Sequence, residues 1–529
     1  MARIWVAALL VCAALLAPVG AGAAPPDAGI VAAVPNPVAD GDAGEFVVLD
    51  VPAASTANWT LGDGERVHSL PHDRPASRIA VSDDPAAARR LADAPVLAVA
   101  RLSLANGGER LRLRRDGTVV ATLTYRDAPE GERLVRTDDG RRWRPVGYQP
   151  RNVTRHGPAS VTGFVLPDDP AVPIETLRGA ERRLFLAGYT FTSERVADAL
   201  VAAERRGVDV RVLVDAAPVG GRTRRGADTL DRLAAAGVDV AVLGGPRARF
   251  DYHHPKYAVV DDRALVLTEN WKPSGVGGHS SRGWGVRVAS PSLAADLAGL
   301  FRADAGWADA IPWRQYRRGR TFEAGEPASG DFPSRVEATE ATAAEVRVLT
   351  APGNAGPELV GVIDRAENRV DVIQPTVGSR EEPLLRATVR AAERGVDVRI
   401  LLSGAWYVAE ENAALVEWLN GVAERRGLPL TARVADAGGR FEKIHAKGVV
   451  ADDVVVVGSL NWNANARTEN REVALAIRSA SLASYFHESF VADWRGGGSG
   501  GSTTWLVVGG ALAALVLALI VARKTIRFD

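Results

Sequence analysis

One phrase of twelve residues, written twice, constrains this 529-residue chain more than any other feature. Ala203-Glu204-Arg205-Arg206-Gly207-Val208-Asp209-Val210-Arg211-Val212-Leu213-Val214 returns as Ala391-Ala392-Glu393-Arg394-Gly395-Val396-Asp397-Val398-Arg399-Ile400-Leu401-Leu402, with Gly207 and Gly395 188 positions apart. Each copy reads as a helix end, a glycine stop and a buried strand, since glycine ends helices in the left-handed conformation and aliphatic runs suit strands covered on both faces. Around both copies, apolar strands alternate with helical stretches rich in Ala, Glu and Arg, the pattern of an α/β sheet. Self-similarity on this scale predicts two homologous halves, 158–310 and 343–494, joined by a connection over 311–342 rich in Gly, Glu, Pro and Ser.

A second repetition is chemical. The chain has only five lysines, Lys256, Lys272, Lys443, Lys447 and Lys524, and arginine is its usual cation. Two of the five recur in one pattern: His254-Pro255-Lys256 followed by Asp261, and His445-Ala446-Lys447 followed by Asp452, each His-x-Lys-x(4)-Asp. On a strand, residues two apart face the same side, so each histidine and its lysine are expected to enter one site together. Downstream, Thr268-Glu269-Asn270-Trp271 and Gly458-Ser459-Leu460-Asn461-Trp462 add hydroxyl and amide groups able to hold anionic oxygens. Both motifs resemble the duplicated signature of the phospholipase D superfamily, which implies phosphodiester cleavage; that reaction needs charge on the non-bridging oxygens neutralised, an in-line nucleophile, and an acid for the leaving oxygen. Two histidines and two lysines supply all three. The candidate catalytic sets are therefore His254, Lys256, Asp261 and His445, Lys447, Asp452, with Thr268, Asn270, Ser459 and Asn461 as phosphate-binding candidates. Each aspartate lies seven residues past its histidine, so a structural or orienting role is expected of it. His253 should face the opposite side of its strand, and His279 and His487 belong to no motif.

Through both motifs, residues 158–494 resemble the phospholipase D superfamily. The resemblance implies a monomer whose halves pack about a pseudo-twofold axis, so that both motifs share one pocket that needs no metal or other cofactor. It also implies a phosphohistidine intermediate, with His254 as nucleophile and His445 as acid. Glu472, in Asn470-Arg471-Glu472-Val473, matches the family's acidic residue that orients the second histidine. The comparable place in the first half reads Ser281-Arg282-Gly283-Trp284, without a carboxylate, and Glu269 is the candidate substitute. Leu267 stands where the family has glycine, a departure that bears on activity. Trp271 and Trp462 are candidates for the pocket wall or for the core.

The two ends carry other signals. Residues 1–24 read as a signal peptide: Arg3, an apolar run, then small residues before Pro25. The sole cysteine, Cys12, lies within it, so disulfides, cysteine-based zinc sites and a cysteine nucleophile are excluded from the mature chain. Residues 25–140 show short strands, Phe46–Leu49, Val96–Val99, Arg110–Leu113 and Thr118–Thr124, separated by turns such as Asp116-Gly117; this predicts a small β-sandwich. Glu45–Leu49, Asn58–Leu61 and Leu104–Val120 resemble the immunoglobulin-like lamin-tail domain, which implies adhesion or positioning. A Gly/Ser linker at 495–504 precedes an apolar run at 505–522, long enough for a transmembrane helix, and the tail 523–529 carries Arg523, Lys524 and Arg527. Positive residues mark the cytoplasmic side, placing the catalytic domain outside the cell membrane on a single-pass tether. The fold class expected is thus α/β: a duplicated mixed-sheet sandwich, preceded by an all-β domain and followed by one membrane span.

The 64 basic and 64 acidic residues give no global attraction to a polyanion. A membrane-proximal phosphodiesterase that hydrolyses phospholipids or transfers phosphatidyl groups, as in cardiolipin synthesis, is the leading expectation. An extracellular nuclease is the alternative partner class, with Arg222, Arg224, Arg225 and the arginines of 314–320 tracking the backbone; a catalytically silent surface binding protein is the third. No amphipathic loop with exposed aromatics stands out within the repeats.

Overall fold

A computed structural model describes residues 28–53, 55–137, 140–245, 247–325 and 328–496. The expected signal peptide and the apolar run 505–522 lie outside these residues; among the described residues, no helix is long and apolar enough to cross a membrane. The chain divides into two compact units, the first ending at Tyr148 and the second beginning at Gln149.

In the first unit, every strand expected from the sequence forms: Phe46–Asp50, Val96–Ala98, Gly108–Arg115 and Thr118–Arg126. They belong to two sheets of six and four strands. One core joins the sheets, with Val47, Leu49 and Val81 from the larger meeting Trp59, Leu61, Leu111 and Leu113 from the smaller. Asp116 and Gly117 both take positive φ at the tip of the hairpin joining 108–115 to 118–126, as a tight turn requires.

The second unit contains the duplication as two mixed sheets. In the first half, seven strands lie in the order 239–243, 209–215, 183–188, 257–260, 263–267, 281–289 and 159–166. The second half repeats this order with 430–434, 397–402, 369–374, 448–451, 454–458, 472–478 and 345–351. The repeated phrase forms the helix end and parallel strand of each half, with Gly207 and Gly395 at positive φ. Each sheet has its own apolar core, and Trp271 and Trp462 are wholly buried in these cores. The Trp271 indole N–H donates to the Ala187 carbonyl at 2.9 Å, so this ring packs inside rather than forming a pocket wall.

The boundary between halves differs from expectation. The connection 311–342 runs into Thr339–Ala343, an edge strand paired with Ala159–Gly163 of the first half, while Thr154–His156 joins the sheet of the second. Buried arginines also cross between halves. Arg282 is paired with Asp493, and Arg471 with Asp304 at 3.0 Å, all nearly excluded from solvent. These two pairs are themselves repeats, since Arg471 and Asp493 stand 189 positions after Arg282 and Asp304. Each arginine reaches an aspartate on the last helix of the opposite half, Pro291–Ala305 or Ala480–Arg495.

Candidate active site

Backbone pairing brings the two motifs together. The amide of His254 donates to the Arg471 carbonyl at 3.0 Å, and the amide of His445 donates to the Arg282 carbonyl at 3.0 Å. Lys443–Ile444 runs parallel to Ser281–Arg282. Each histidine segment is therefore stitched to the opposite half, at the start of the strand that begins with Ser281 or Glu472.

This crossing decides which carboxylate serves which histidine. Glu472 was expected to orient the second histidine; instead its Oε2 accepts from Nδ1 of His254 at 2.9 Å. His445 Nδ1 is held at 3.1 Å by Glu269. In both cases the partner comes from the other half, because a histidine lies beside the neighbouring half's strand rather than its own. The first half thus does have its carboxylate, but moved. Equivalent backbone bonds, Thr268 N–H to Trp284 O and Ser459 N–H to Val473 O, align Gly283 with Glu472. A Cβ at Gly283 would lie 2.2 Å from Glu269 Cγ, so the Glu269 side chain fills the space a side chain at 283 would use. The Leu267 departure is balanced in the same way: Leu267 faces Gly285 across the sheet, whereas Gly458 faces Ala474.

With Nδ1 donating to a carboxylate, each imidazole keeps its Nε2 lone pair for chemistry. Burial pushes both histidines down to about 4, against the opposing pull of Glu472 on His254 and Glu269 on His445. Burial likewise lowers Lys447 to about 8 and moves Lys256 well below the ordinary lysine range. Burial works against ionisation of Glu472, yet His254 and Lys256 hold its carboxyl below the usual range. Each histidine also feels the other half's lysine, which places all six groups in one electrostatic unit. A phosphodiester anion entering this site favours protonation of an imidazole, and an acid step requires that proton.

Each lysine donates to the carbonyl of its own histidine, which fixes the His-x-Lys strand segment. Lys256 also lies 5.4 Å from the ring centre of Tyr189, whose edge meets the His254 ring at 4.7 Å. A cleft of about 530 Å³ opens beside His254, bordered by Tyr189, Tyr252, Asn461, Asn463 and Asn470. Of the expected phosphate ligands, Asn461 borders this cleft, and Asn270 Oδ1 is buried without a hydrogen-bond partner among the described residues. Thr268 and Ser459 differ from expectation. Both are buried, and their hydroxyls accept from the amides of Trp284 and Val473, tying down the strands that carry positions 283 and 472.

The two aspartates leave the catalytic sets. Asp261 and Asp452 occupy hairpin tips at φ of 53° and 50°, at the far end of the strands that follow the lysines. Asp261 accepts from the amides of Glu181, Arg182 and Arg183, and Asp452 from those of Glu367, Asn368 and Arg369. Their carboxylates are consumed in joining the hairpin to the neighbouring strand, and touch neither histidine. His253 is structural as expected: buried, its amide donates to Asp215 at 2.6 Å. Three of the arginines of the nuclease reading are engaged as well. Arg222 caps the Asp215 carbonyl, Arg314 the Ala234 carbonyl, and Arg317 pairs with Asp231. The cross-half arginine pairs escaped sequence reasoning, although their 189-residue spacing, close to the 191 between the histidines, was a readable signal. Among the described residues, no group of three or more His, Cys, Asp or Glu is placed to hold a metal ion.

A duplicated α/β fold with two His-x-Lys segments sharing one buried site defines the phospholipase D class. A family model described as "Cardiolipin synthase, PLD-like domain" matches residues 174–305 and 359–494, and the chain belongs to this family and to the phospholipase D superfamily. It is a phospholipase D-like phosphodiesterase or phosphatidyltransferase. Cardiolipin synthases from two strains of Clostridium perfringens are each 25% identical over 345 residues, spanning 60% of this chain and 67% of theirs. The crystal structure of a phosphatidylserine synthase from Haemophilus influenzae shares the fold with a TM-score of 0.52 at 14% identity, covering 70% of this chain and 95% of that one.

Proposed function

We propose that the protein is a membrane-tethered, extracytoplasmic enzyme that transfers a phosphatidyl group from a phospholipid to an alcohol or to water. The observation that carries this reading is the pair of histidines, each aligned by a carboxylate from the opposite half and flanked by a buried lysine. His254 Nε2 attacks phosphorus; the P–O bond to the leaving alcohol breaks and that oxygen takes a proton from His445. Water or a second alcohol then gives its proton to His445 while its oxygen attacks phosphorus, breaking the N–P bond and freeing His254. The His254 side chain is 10% exposed and that of His445 23%, so His445 is the better placed to exchange protons with solvent. Lys256 and Lys447 supply positive charge, with Asn461 and Asn270 as further phosphate donors.

The membrane tether rests on the apolar run 505–522 and its positive flank, and the outward orientation on the same charge asymmetry. The lamin-tail-like reading of the first unit makes it a positioning module without catalytic groups; its two-sheet architecture supports that reading. Purified protein incubated with labelled phosphatidylglycerol, and separately with single- and double-stranded DNA, tests the assignment. Headgroup release or exchange that disappears in both His254→Ala and His445→Ala is expected. Cleavage of DNA without turnover of lipid would refute it, and labelled phosphate trapped on His445 rather than His254 would reverse the two roles.

A further inference from the structure

Two turns near the site carry exposed apolar side chains, although no such loop stands out in the sequence. Among the described residues of the second unit, the exposed large hydrophobic side chains are Val219, Trp406 and Tyr407, at 74%, 79% and 47% exposure. All three occupy equivalent loops. Val219 and Tyr407 are 188 positions apart, the offset of the repeated phrase, so each loop follows the same strand of its half. Both loops are tight turns: Gly221 N–H donates to Pro218 O at 2.8 Å, and Val408 N–H to Ala405 O at 2.9 Å, presenting Val219 and the Trp406-Tyr407 pair at their tips.

Each turn is anchored to catalytic machinery. Val219 borders the cleft beside His254, and its amide donates to the hydroxyl of Tyr189, the ring that packs on that histidine. On the other side, Ser403 accepts from the amides of Ala405 and of Ile444, the residue before His445. The Tyr407 ring centre lies 5.8 Å from Lys443 Nζ, and Lys443 in turn depresses Lys272, after burial of the latter. Lys443 stands two residues before His445 and Lys272 two after Asn270, so both lie beside the site. Trp406 and Tyr407 meet edge to face, with ring centres 5.6 Å apart, and both stay open to solvent. An indole and a phenol suit the headgroup region of a bilayer, where one end of the side chain is apolar and the other wet, and the lysines complement anionic headgroups.

We propose that the Val219 and Trp406-Tyr407 turns, with Lys272 and Lys443, form a docking rim that seats the active-site mouth on an anionic phospholipid surface. The inference rests on the phospholipid reading of the site and extends it: the enzyme takes its substrate from the membrane plane rather than from solution. A single-residue probe tests it in the full chain. In a Cys12→Ser background, Trp406→Cys and Asp397→Cys are labelled with an environment-sensitive fluorophore and reconstituted in phosphatidylglycerol vesicles. Asp397 lies at the opposite end of the strand that leads to the turn, about 20 Å away for six residues. Quenching by lipid-borne bromine is expected at 406 and not at 397; equal quenching at the two, or none at 406, would overturn the proposal.

Activity supplies the second arm. Trp406→Ser with Tyr407→Ser should lower turnover of long-chain phosphatidylglycerol in vesicles about 10-fold or more, from the aromatic burial lost. Turnover of monomeric dihexanoyl phosphatidylglycerol should stay within about twofold. Equal loss on both substrates would place the aromatics in the substrate site and refute docking, and so would loss of DNA cleavage alone. Quenching at 406 in a protein that turns over neither lipid would instead refute the phospholipid reading while leaving the docking rim in place.

Discussion

Removing Glu269 tests whether the carboxylate missing from position 283 has been replaced from another strand. Glu269 holds His445 Nδ1 at 3.1 Å and opposes the fall of that imidazole's pKa. A charged hydrogen bond of this kind contributes roughly 1.5–3 kcal/mol, so Glu269→Ala should lower kcat about 10- to 150-fold with little change in KM. Glu269 favours the protonated imidazole, so its loss lowers the His445 pKa. The alkaline limb of the pH–rate profile should therefore move to lower pH, which a purely structural role would not cause. The restoring change is written in the geometry. A Cβ at 283 would sit 2.9 Å from Glu269 Cδ, and a glutamate's own Cβ and carboxyl carbon are about 2.5 Å apart across two carbon–carbon bonds. A glutamate at 283 thus delivers its carboxyl near the place Glu269 now occupies, as Glu472 does in the second half. Gly283→Glu alone should lose activity through the 2.2 Å overlap, whereas Glu269→Ala with Gly283→Glu should recover most of kcat and the original pH limb. Steady-state headgroup release across pH 5 to 9 measures all of these. A Glu269→Ala enzyme within twofold of the parent, or a lowered one whose pH limb stays put, would refute the reasoning.

Asp261→Ala removes an acceptor for three backbone amides but touches no catalytic group; we expect about 2 kcal/mol less stability in urea and unchanged kcat at a temperature where the variant is folded. Loss of kcat in folded Asp261→Ala would return the aspartate to the catalytic set. Asp304→Ala leaves Arg471 buried and unpaired, so a stability loss of about 3–5 kcal/mol is expected, and a smaller loss for Asp493→Ala, because Arg282 keeps its buried pair with Asp168. Binding of vanadate should take up close to one proton near pH 7, because both imidazoles are neutral without a ligand and an anion favours the charged form; calorimetry in buffers of different ionisation enthalpy reads this directly. His253, His254 and His445 are all pushed down to about 4, below the roughly 6.5 of an unfolded chain, so the unfolded state binds protons first. Stability should therefore be full above about pH 6.5 and fall progressively toward pH 4, as thermal melts across that window will show.

What the sequence disclosed and what it concealed divide along the pseudo-twofold relation. Features repeated in register, the helix–glycine–strand phrase and the two His-x-Lys segments, were legible because both copies keep the same residues at one spacing. Each half's local structure follows from that pattern, and so does the pairing of each histidine with its lysine on one strand face; that the two motifs share a pocket was implied by the resemblance to the phospholipase D superfamily. The concealed features are those in which one half completes the other. Nothing local to Glu472 says that it serves His254; that follows only once His254 N–H is seen bonded to Arg471 O. Likewise Leu267 reads as a defect until Gly285 appears opposite it, and Gly283 as a missing acid until Glu269 fills its space. In each case volume or charge is conserved across a strand pair rather than at a position. A duplicated site can thus lose a motif residue in one copy without losing the group, provided that a neighbour on the facing strand shrinks to admit it. The cross-half arrangement also makes the site depend on assembly of both halves, since each histidine is aligned by a carboxylate the other half supplies. Separately folded halves would each hold a His-x-Lys segment with an unaligned imidazole. The Arg282–Asp493 and Arg471–Asp304 pairs, buried at that same junction, bind the alignment of the catalytic histidines to the stability of the fold.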